Sequence, residues 1–359
     1  MHFTFAALPV RLSSVASITA LAVLLGTSSA AWADRTIVDQ LGREVVLADT
    51  IHRAVVLQHH TLDVIVQLDA QADVVGVVKD WQGLLGKGFA RLAPNFTDLP
   101  TPGDLKTVNV EEVLSLKPDV VFISDYAPAE AVKSLVDAGL PVVQMAFFDV
   151  PESERGKLNP VLPDDKAAYT KGLTDAVTLV GEVFGKQDAA QELNAYAMQK
   201  RAIVEARTAG LPTEGRTKMY MANPDMNTYG AGKYTGAAME LAGGLNVAQA
   251  VEGYGKVEME QVLAWNPDVI VVQDRYPEVV DQIRNDAAWA TIAAVKNGRI
   301  DLTPEYVKPW GRATPESVAL GEIWLAKSLH PDLFTDIDMD AEAQAYYKKF
   351  YRTDYVAAQ

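Results

Sequence analysis

The chain has 359 residues, with 47 acidic against 32 basic side chains, a net charge of −15 and no cysteine. Such acidity opposes association with nucleic acid or anionic lipid, and the lack of thiols excludes disulfides, thiolate catalysis, zinc–thiolate and iron–sulfur sites. The length exceeds what one hydrophobic core commonly serves, so two domains are expected.

Residues 1–33 differ in kind from the rest. Arg11 precedes the apolar run 15–26 (VASITALAVLLG), and small residues lead to Ala31-Trp32-Ala33, with no acidic residue throughout. A core shorter than the roughly 20 residues of a membrane span, ending in an A-x-A-like sequence, reads as a signal peptide cleaved after Ala33. The mature chain then starts at Asp34. It is one charge more negative, because Arg11 is the one charged side chain removed. A lipid anchor at the cleavage site requires a cysteine, so a freely soluble periplasmic monomer, not embedded in the membrane, is expected.

Short apolar strands at 54–58, 74–78 and 142–145 alternate with helical segments at 61–68 and 130–138. Residues 109–124 (NVEEVLSLKPDVVFIS) are echoed at 258–273 (EMEQVLAWNPDVIVVQ). The two align without gaps at Glu111/Glu260, Val113/Val262, Leu114/Leu263, Pro118/Pro267, Asp119/Asp268 and Val120/Val269. Each is an amphipathic helix stopped by Pro-Asp before a β-branched run of the kind buried in parallel sheets. Helical periodicity at 166–184 and 187–208 follows. The second helix is polar on most faces, with a narrow stripe through Ala189, Leu193, Tyr196, Ala197, Ile203 and Val204, as befits a helix bridging domains. At 1.5 Å per residue it spans about 33 Å. Strands at 218–222 and 299–302 bracket helices at 236–242 and 279–284. The expected fold is α/β: a lobe at 34–186, an interdomain helix at 187–209 and a second lobe at 210–359. Ligands of such sheets sit beyond the carboxyl ends of the strands.

The segments TIVDQLGR (36–43), NVEEVLSLKPDVV, LAGGLNV (241–247) and EMEQVLAWNPDVIVV together resemble the periplasmic binding proteins of metal-chelate ABC importers, the siderophore, haem and cobalamin group. The resemblance implies two Rossmann-like lobes joined by a single long helix, with a ligand cleft between them. It implies capture of a solute for an ABC permease and its ATPase subunit. It further implies one acid on each lobe docking on permease arginines; Glu111 and Glu260 match, with Glu112 and Glu258 as neighbouring substitutes.

Residues at strand ends and in the following loops are the candidate ligand contacts. In the first lobe these are Gln58, His59, His60, Trp81, Tyr126 and Phe148 (or Phe147). In the second they are Tyr229, Tyr234, Arg275, Tyr276, Tyr306, Trp310 and Arg312. Tyr and Trp offer flat surfaces with a polar edge, and Arg a planar fork for oxyanions. His59 or His60 could ligate a metal or donate to an anion, but neighbours on an extended strand point opposite ways, and no further ligands stand at useful spacing. Asp63, one turn on, is expected on the helix face. The favoured ligand is a ferric siderophore or similar chelate. The rival is a tetrahedral oxyanion such as molybdate, which His and Arg donors bind without stacking. Direct metal binding, or haem with a Tyr ligand, ranks behind both.

No enzyme is expected, and no cofactor. The glycines of 230–236 fall at G-x-G-x-x-x-G, one residue too wide for a dinucleotide fingerprint, and read instead as a loop lending N–H groups to a ligand. Neither a G-x-S-x-G elbow nor a phosphate-binding G-x-x-x-x-G-K-[ST] loop occurs.

Overall fold

The computed structural model describes residues 1–4 and 34–356, so the apolar core and cleavage site of the expected signal peptide lie outside the described residues. Strands β1 (Arg35–Val38) and β2 (Glu44–Leu47) form an antiparallel hairpin. Asp39 ties its turn, accepting from the backbone N–H groups of Leu41 (2.9 Å) and Arg43 (3.0 Å), and from that of Gln144 (3.1 Å) in the first lobe's sheet. The first lobe continues with β3 (Ala54–Val56), α1 (His59–Gln67), β4 (Val74–Val77), α2 (Trp81–Leu85), α3 (Val110–Ser115), β5 (Val120–Ser124), α4 (Ala129–Asp137) and β6 (Val142–Met145). Its sheet runs β4-β3-β5-β6, all parallel. The runs AVV, VVFIS and VVQM are buried throughout, as parallel strands covered on both faces must be.

Two long helices follow, α5 (Asp165–Val183) and α6 (Gln187–Thr208). The second lobe holds β7 (Lys218–Ala222), β8 (Asn227–Tyr229), α7 (Tyr234–Leu241), β9 (Leu245–Asn246), β10 (Tyr254–Lys256), α8 (Met259–Trp265), β11 (Val269–Val272), α9 (Pro277–Asn285), α10 (Ala293–Lys296), β12 (Ile300–Leu302), α11 (Glu322–Leu329) and α12 (Met339–Tyr346). Its parallel sheet runs β12-β11-β7-β9, and β8 and β10 make an antiparallel ribbon beside it. The fold is thus the expected α/β pair of lobes.

The repeated unit plays one structural part twice. Asp119, after α3, accepts from the backbone N–H groups of His52 (2.8 Å) and Arg53 (2.9 Å), which lead into β3. Asp268, after α8, accepts from the N–H of Lys218 (2.9 Å), the first residue of β7. Each Pro-Asp pair therefore fixes the start of the strand beside its own, satisfying N–H groups that the sheet leaves open.

Helix α6 carries the chain between lobes. It starts against the end of α5, where a Cβ on Gly181 would stand 2.4 Å from that of Ala190, so only glycine permits the approach. It ends with the Thr208 hydroxyl donating to the Leu241 carbonyl (2.9 Å) in the second lobe. Midway, the buried Arg201 donates from Nε to Glu322 (2.9 Å), which also accepts from the Tyr234 hydroxyl (2.9 Å). Leu193, Ala197 and Val204 form its buried stripe.

After α12 the chain returns to the first lobe. The Tyr346 hydroxyl donates to Gln67 Oε1 (2.5 Å) and the Tyr351 hydroxyl to Asp63 Oδ1 (2.8 Å), both on α1. Asp63 is buried, contrary to the expectation of a helix-face residue, because it faces Lys308 of the second lobe at 2.8 Å. Lys308 also pairs with Glu316, and the side chains of all three are at most 3% exposed. Burial pulls the Lys308 ammonium down, yet the two carboxylates more than offset it and hold it charged. Removing one partner of such a buried group is costly. Asp63→Asn is expected to lower unfolding stability by about 3 kcal/mol, read by urea denaturation; a loss below about 1 kcal/mol, the worth of an exposed pair, would show that the lobes are held by other contacts.

Candidate functional site

The carboxyl ends of β3, β5 and β6 face those of β11 and β12 across the gap between lobes. Gln58 is extended and closes the end of β3. Its Oε1 accepts from the Thr61 backbone N–H (3.1 Å) and its Nε2 donates to the Met145 carbonyl (3.2 Å). Gln58 is therefore the N-cap of α1, and its amide is occupied within the first lobe. The helix accordingly begins at His59, two residues earlier than expected. This corrects the opposed orientation inferred for the histidines: on a first helical turn the two rings lie together, centroids 4.0 Å apart.

Trp310 closes over this pair, its ring 5.8 Å from His59 and 5.6 Å from His60. Phe147, in a left-handed conformation (φ 61°) rare for an aromatic residue, presents its ring 5.5 Å from His60. Gln40, in the first hairpin's turn, holds that strained corner by accepting from the backbone N–H groups of Ala146 (2.9 Å) and Phe147 (3.0 Å). Both imidazoles are more than nine-tenths buried. Burial first, then for His59 the Arg275 and Arg312 guanidinium groups, and for His60 the His59 ring followed by the same two arginines, lower both pKa values well below the ordinary histidine value, so both rings are neutral.

The two arginines reach across from the second lobe. Arg275 donates to the Leu84 carbonyl (2.6 Å) at the end of α2 and to Gln273 Oε1 (2.8 Å), between the rings of Tyr276 and Trp310, each 5.1 Å from its guanidinium. Arg312 donates to the Ala146 carbonyl and pairs with Asp125 at 2.8 Å, flanked by Tyr126 (5.1 Å) and Phe148 (5.0 Å). Arg312 is thus neutralised locally. Among the described residues no carboxylate is ion-paired with Arg275.

The loop carrying Trp310 and Arg312 is fixed from several sides. Tyr169 on α5 donates to the carbonyls of Gly311 (3.0 Å) and Gly232 (2.9 Å), and the Thr235 hydroxyl to that of Trp310 (2.8 Å). Against this rigid setting several buried polar atoms have no partner: Nδ1 of His59, both ring nitrogens of His60, Nε1 of Trp310 and Oγ of Ser124.

Other candidates lie elsewhere. Trp81 packs edge-on against Phe96 and Phe89 in the first lobe's core. Tyr234 points to Glu322 and Tyr306 packs on Tyr355, so neither meets the histidines. Tyr229 packs at a tilt on Tyr254, ring centroids 4.9 Å apart, beside Gly311. Several N–H groups of the 230–236 loop, expected to be lent to a ligand, are used within the protein. Gly230 donates to the Gly253 carbonyl, Ala231 to that of Val251 and Tyr234 to that of Gly311. Two charged residues escaped the sequence reading. Asp125 follows β5 directly, which the strand-end rule could have flagged. Lys233 is buried, donates to the Leu158 carbonyl (2.8 Å) and is pushed down to about 8, by burial first and then by Arg312. Among the described residues no three His, Cys, Asp or Glu side chains cluster as a metal would require.

Residues 55–307 match the model of the periplasmic binding protein family. The molybdate-binding protein MolA of Haemophilus influenzae is 50% identical over 334 residues, covering 93% of this chain and 95% of its own. Its molybdate-bound structure superposes with a TM-score of 0.89 over 90% of this chain and all of that one. An Fe(3+)-citrate-binding protein of Bacillus subtilis is 24% identical over 272 residues, 74% of this chain and 77% of its own. With two parallel-sheet lobes, a bridging helix and a buried site between strand ends, this chain belongs to the periplasmic binding protein family that serves ABC importers.

Proposed function

We propose that this chain captures a tetrahedral oxyanion of the molybdate class and delivers it to the permease and ATPase of an ABC importer, releasing it unchanged. The observation that carries the reading is the set of buried, unpartnered donors beside an arginine that makes no ion pair with a carboxylate among the described residues. An indole N–H and a guanidinium can only donate, so their partner must be an acceptor. A bare cation is the wrong charge for them. A compact dianion with four acceptor oxygens satisfies the donors of His59, His60, Trp310 and Arg275 together. The expectation of a ferric siderophore is withdrawn: a relative at half identity over nearly its whole length is a molybdate-binding protein. The aromatic rings that suggested chelate stacking flank the two guanidinium groups instead.

Residues 1–33 are read as the signal peptide that takes the chain to the periplasm. Glu111 and Glu260 stand exposed in the first turns of α3 and α8, one on each lobe, and are proposed to dock on basic residues of the permease. With Glu111→Arg and Glu260→Arg combined, oxyanion affinity should be unchanged while stimulation of the importer's ATPase in reconstituted vesicles is lost. Full stimulation by the double variant would remove these residues from the interface.

Calorimetric titration of molybdate tests the site itself. Arg275→Gln should weaken binding at least tenfold, about 1.4 kcal/mol; an unaltered Kd would exclude Arg275 from the site.

A second test follows from the neutral histidines. A base whose folded pKa is depressed binds fewer protons folded than unfolded, so its stability contribution is complete above about pH 6.5 and declines as pH falls below that value. The protein without ligand should therefore lose more stability between about pH 7 and 5 than a His59→Asn/His60→Asn variant. Saturating molybdate should restore part of the difference, since an adjacent anion favours the imidazolium. Parallel pH profiles of the two proteins would refute the assignment of neutral, buried rings.

A further inference from the structure

A second concave site lies on the second lobe, outside the gap between lobes. It is a groove of about 480 Å³ between α9 and the 223–226 turn after β7. Its floor holds two polar groups without partners, the hydroxyl of Tyr220 and Nδ2 of Asn223, on residues 0% and 4% exposed. Val279, Ile283 and Trp289 make the walls. Asp225 and Asp286 stand exposed at the rim, and neither is paired with a cation among the described residues. Asp286 uses one oxygen to accept from the Ala288 backbone N–H (2.9 Å). The Asn223 amide nitrogen can only donate, so the floor calls for an acceptor oxygen, whereas the rim calls for positive charge.

We propose that this groove is a ligand site for a small organic cation carrying a hydrogen-bond-accepting oxygen, bound with the oxygen inward and the cation between the rim carboxylates. The groove is also wired to the first site. Asn223 Oδ1 accepts from Gln273 Nε2, and Gln273 Oε1 accepts from Arg275 Nε (2.8 Å). An acceptor on Asn223 Nδ2 fixes that amide's orientation and, through Gln273, the guanidinium facing the histidines. Occupancy of the groove therefore favours oxyanion binding, a coupling that rests on the function proposed above.

The probe is L-argininamide, which has a carbonyl oxygen, an apolar stem and cationic groups. Titrated calorimetrically into the mature protein without molybdate, it should bind saturably at one site. Tyr220→Phe and Asp286→Asn, checked for unchanged thermal unfolding, should each weaken it at least tenfold. No saturable binding, or equal binding to both variants, overturns the site. This result does not depend on the oxyanion reading. With argininamide saturating, molybdate should bind severalfold more tightly, and Gln273→Leu should abolish that gain. A molybdate affinity indifferent to the probe overturns the coupling while leaving the groove's own test standing.

Discussion

Three cations of the second lobe end on oxygens of the first. Arg275 reaches the Leu84 carbonyl, Lys308 reaches Asp63, and Arg312 reaches the Ala146 carbonyl and Asp125. Charge buried between two sheets must be met by acceptors, and the first lobe supplies them at its strand ends and on α1. These contacts close the gap and bury the side chains that line it. They also divide the cations into two kinds, since Lys308 and Arg312 have carboxylates and Arg275 has only a carbonyl and an amide. The positive charge left over sits beside the paired histidines, and that is where an anion fits.

Burial sets the chemistry of the donors. In water the two imidazoles would titrate near neutrality; here burial and the guanidinium groups keep them neutral, each with one N–H to give. The aromatic residues then acquire a role different from ligand stacking. Tyr126 and Phe148 flank Arg312, and Tyr276 and Trp310 flank Arg275, so each planar fork is held by rings rather than by solvent. A fork held this way loses less freedom when an oxyanion arrives, which favours small, directional ligands over large ones.

Periodicity and the repeated Pro-Asp unit were enough to read the first sheet, the second sheet apart from β9, and α6, and the strand-end rule singled out Arg275, Trp310, Arg312 and the histidine pair. That same rule misplaced Gln58, Trp81, Tyr234 and Tyr306. A residue at a strand end can cap the next helix or pack beneath a loop, and periodicity does not distinguish these from facing a cleft. The burial of Asp63 was invisible for another reason. The partner of Asp63 lies 245 residues away, and nothing local marks a carboxylate whose counter-charge comes from another lobe. The return of the last helix to α1 is likewise a matter of tertiary packing, made through tyrosine hydroxyls that no pattern announces.

The two lobes share a scaffold but not a chemistry. The repeated helix–Pro-Asp–strand unit builds each sheet alike, while the loops beyond the strands diverge, acceptors and imidazoles on one side and cations and an indole on the other. Helix α1 makes the two sides interdependent. Its first turn carries His59 and His60, and its next turn carries Asp63. Lys308, the partner of Asp63, has a strained left-handed backbone (φ 40°) two residues before Trp310, and its ammonium lies 5.5 Å from the indole ring. One ion pair thus fixes the helix that presents the imidazoles and the loop that presents the indole. The contact that locks the lobes and the geometry that would hold an anion are the same constraint seen from its two ends.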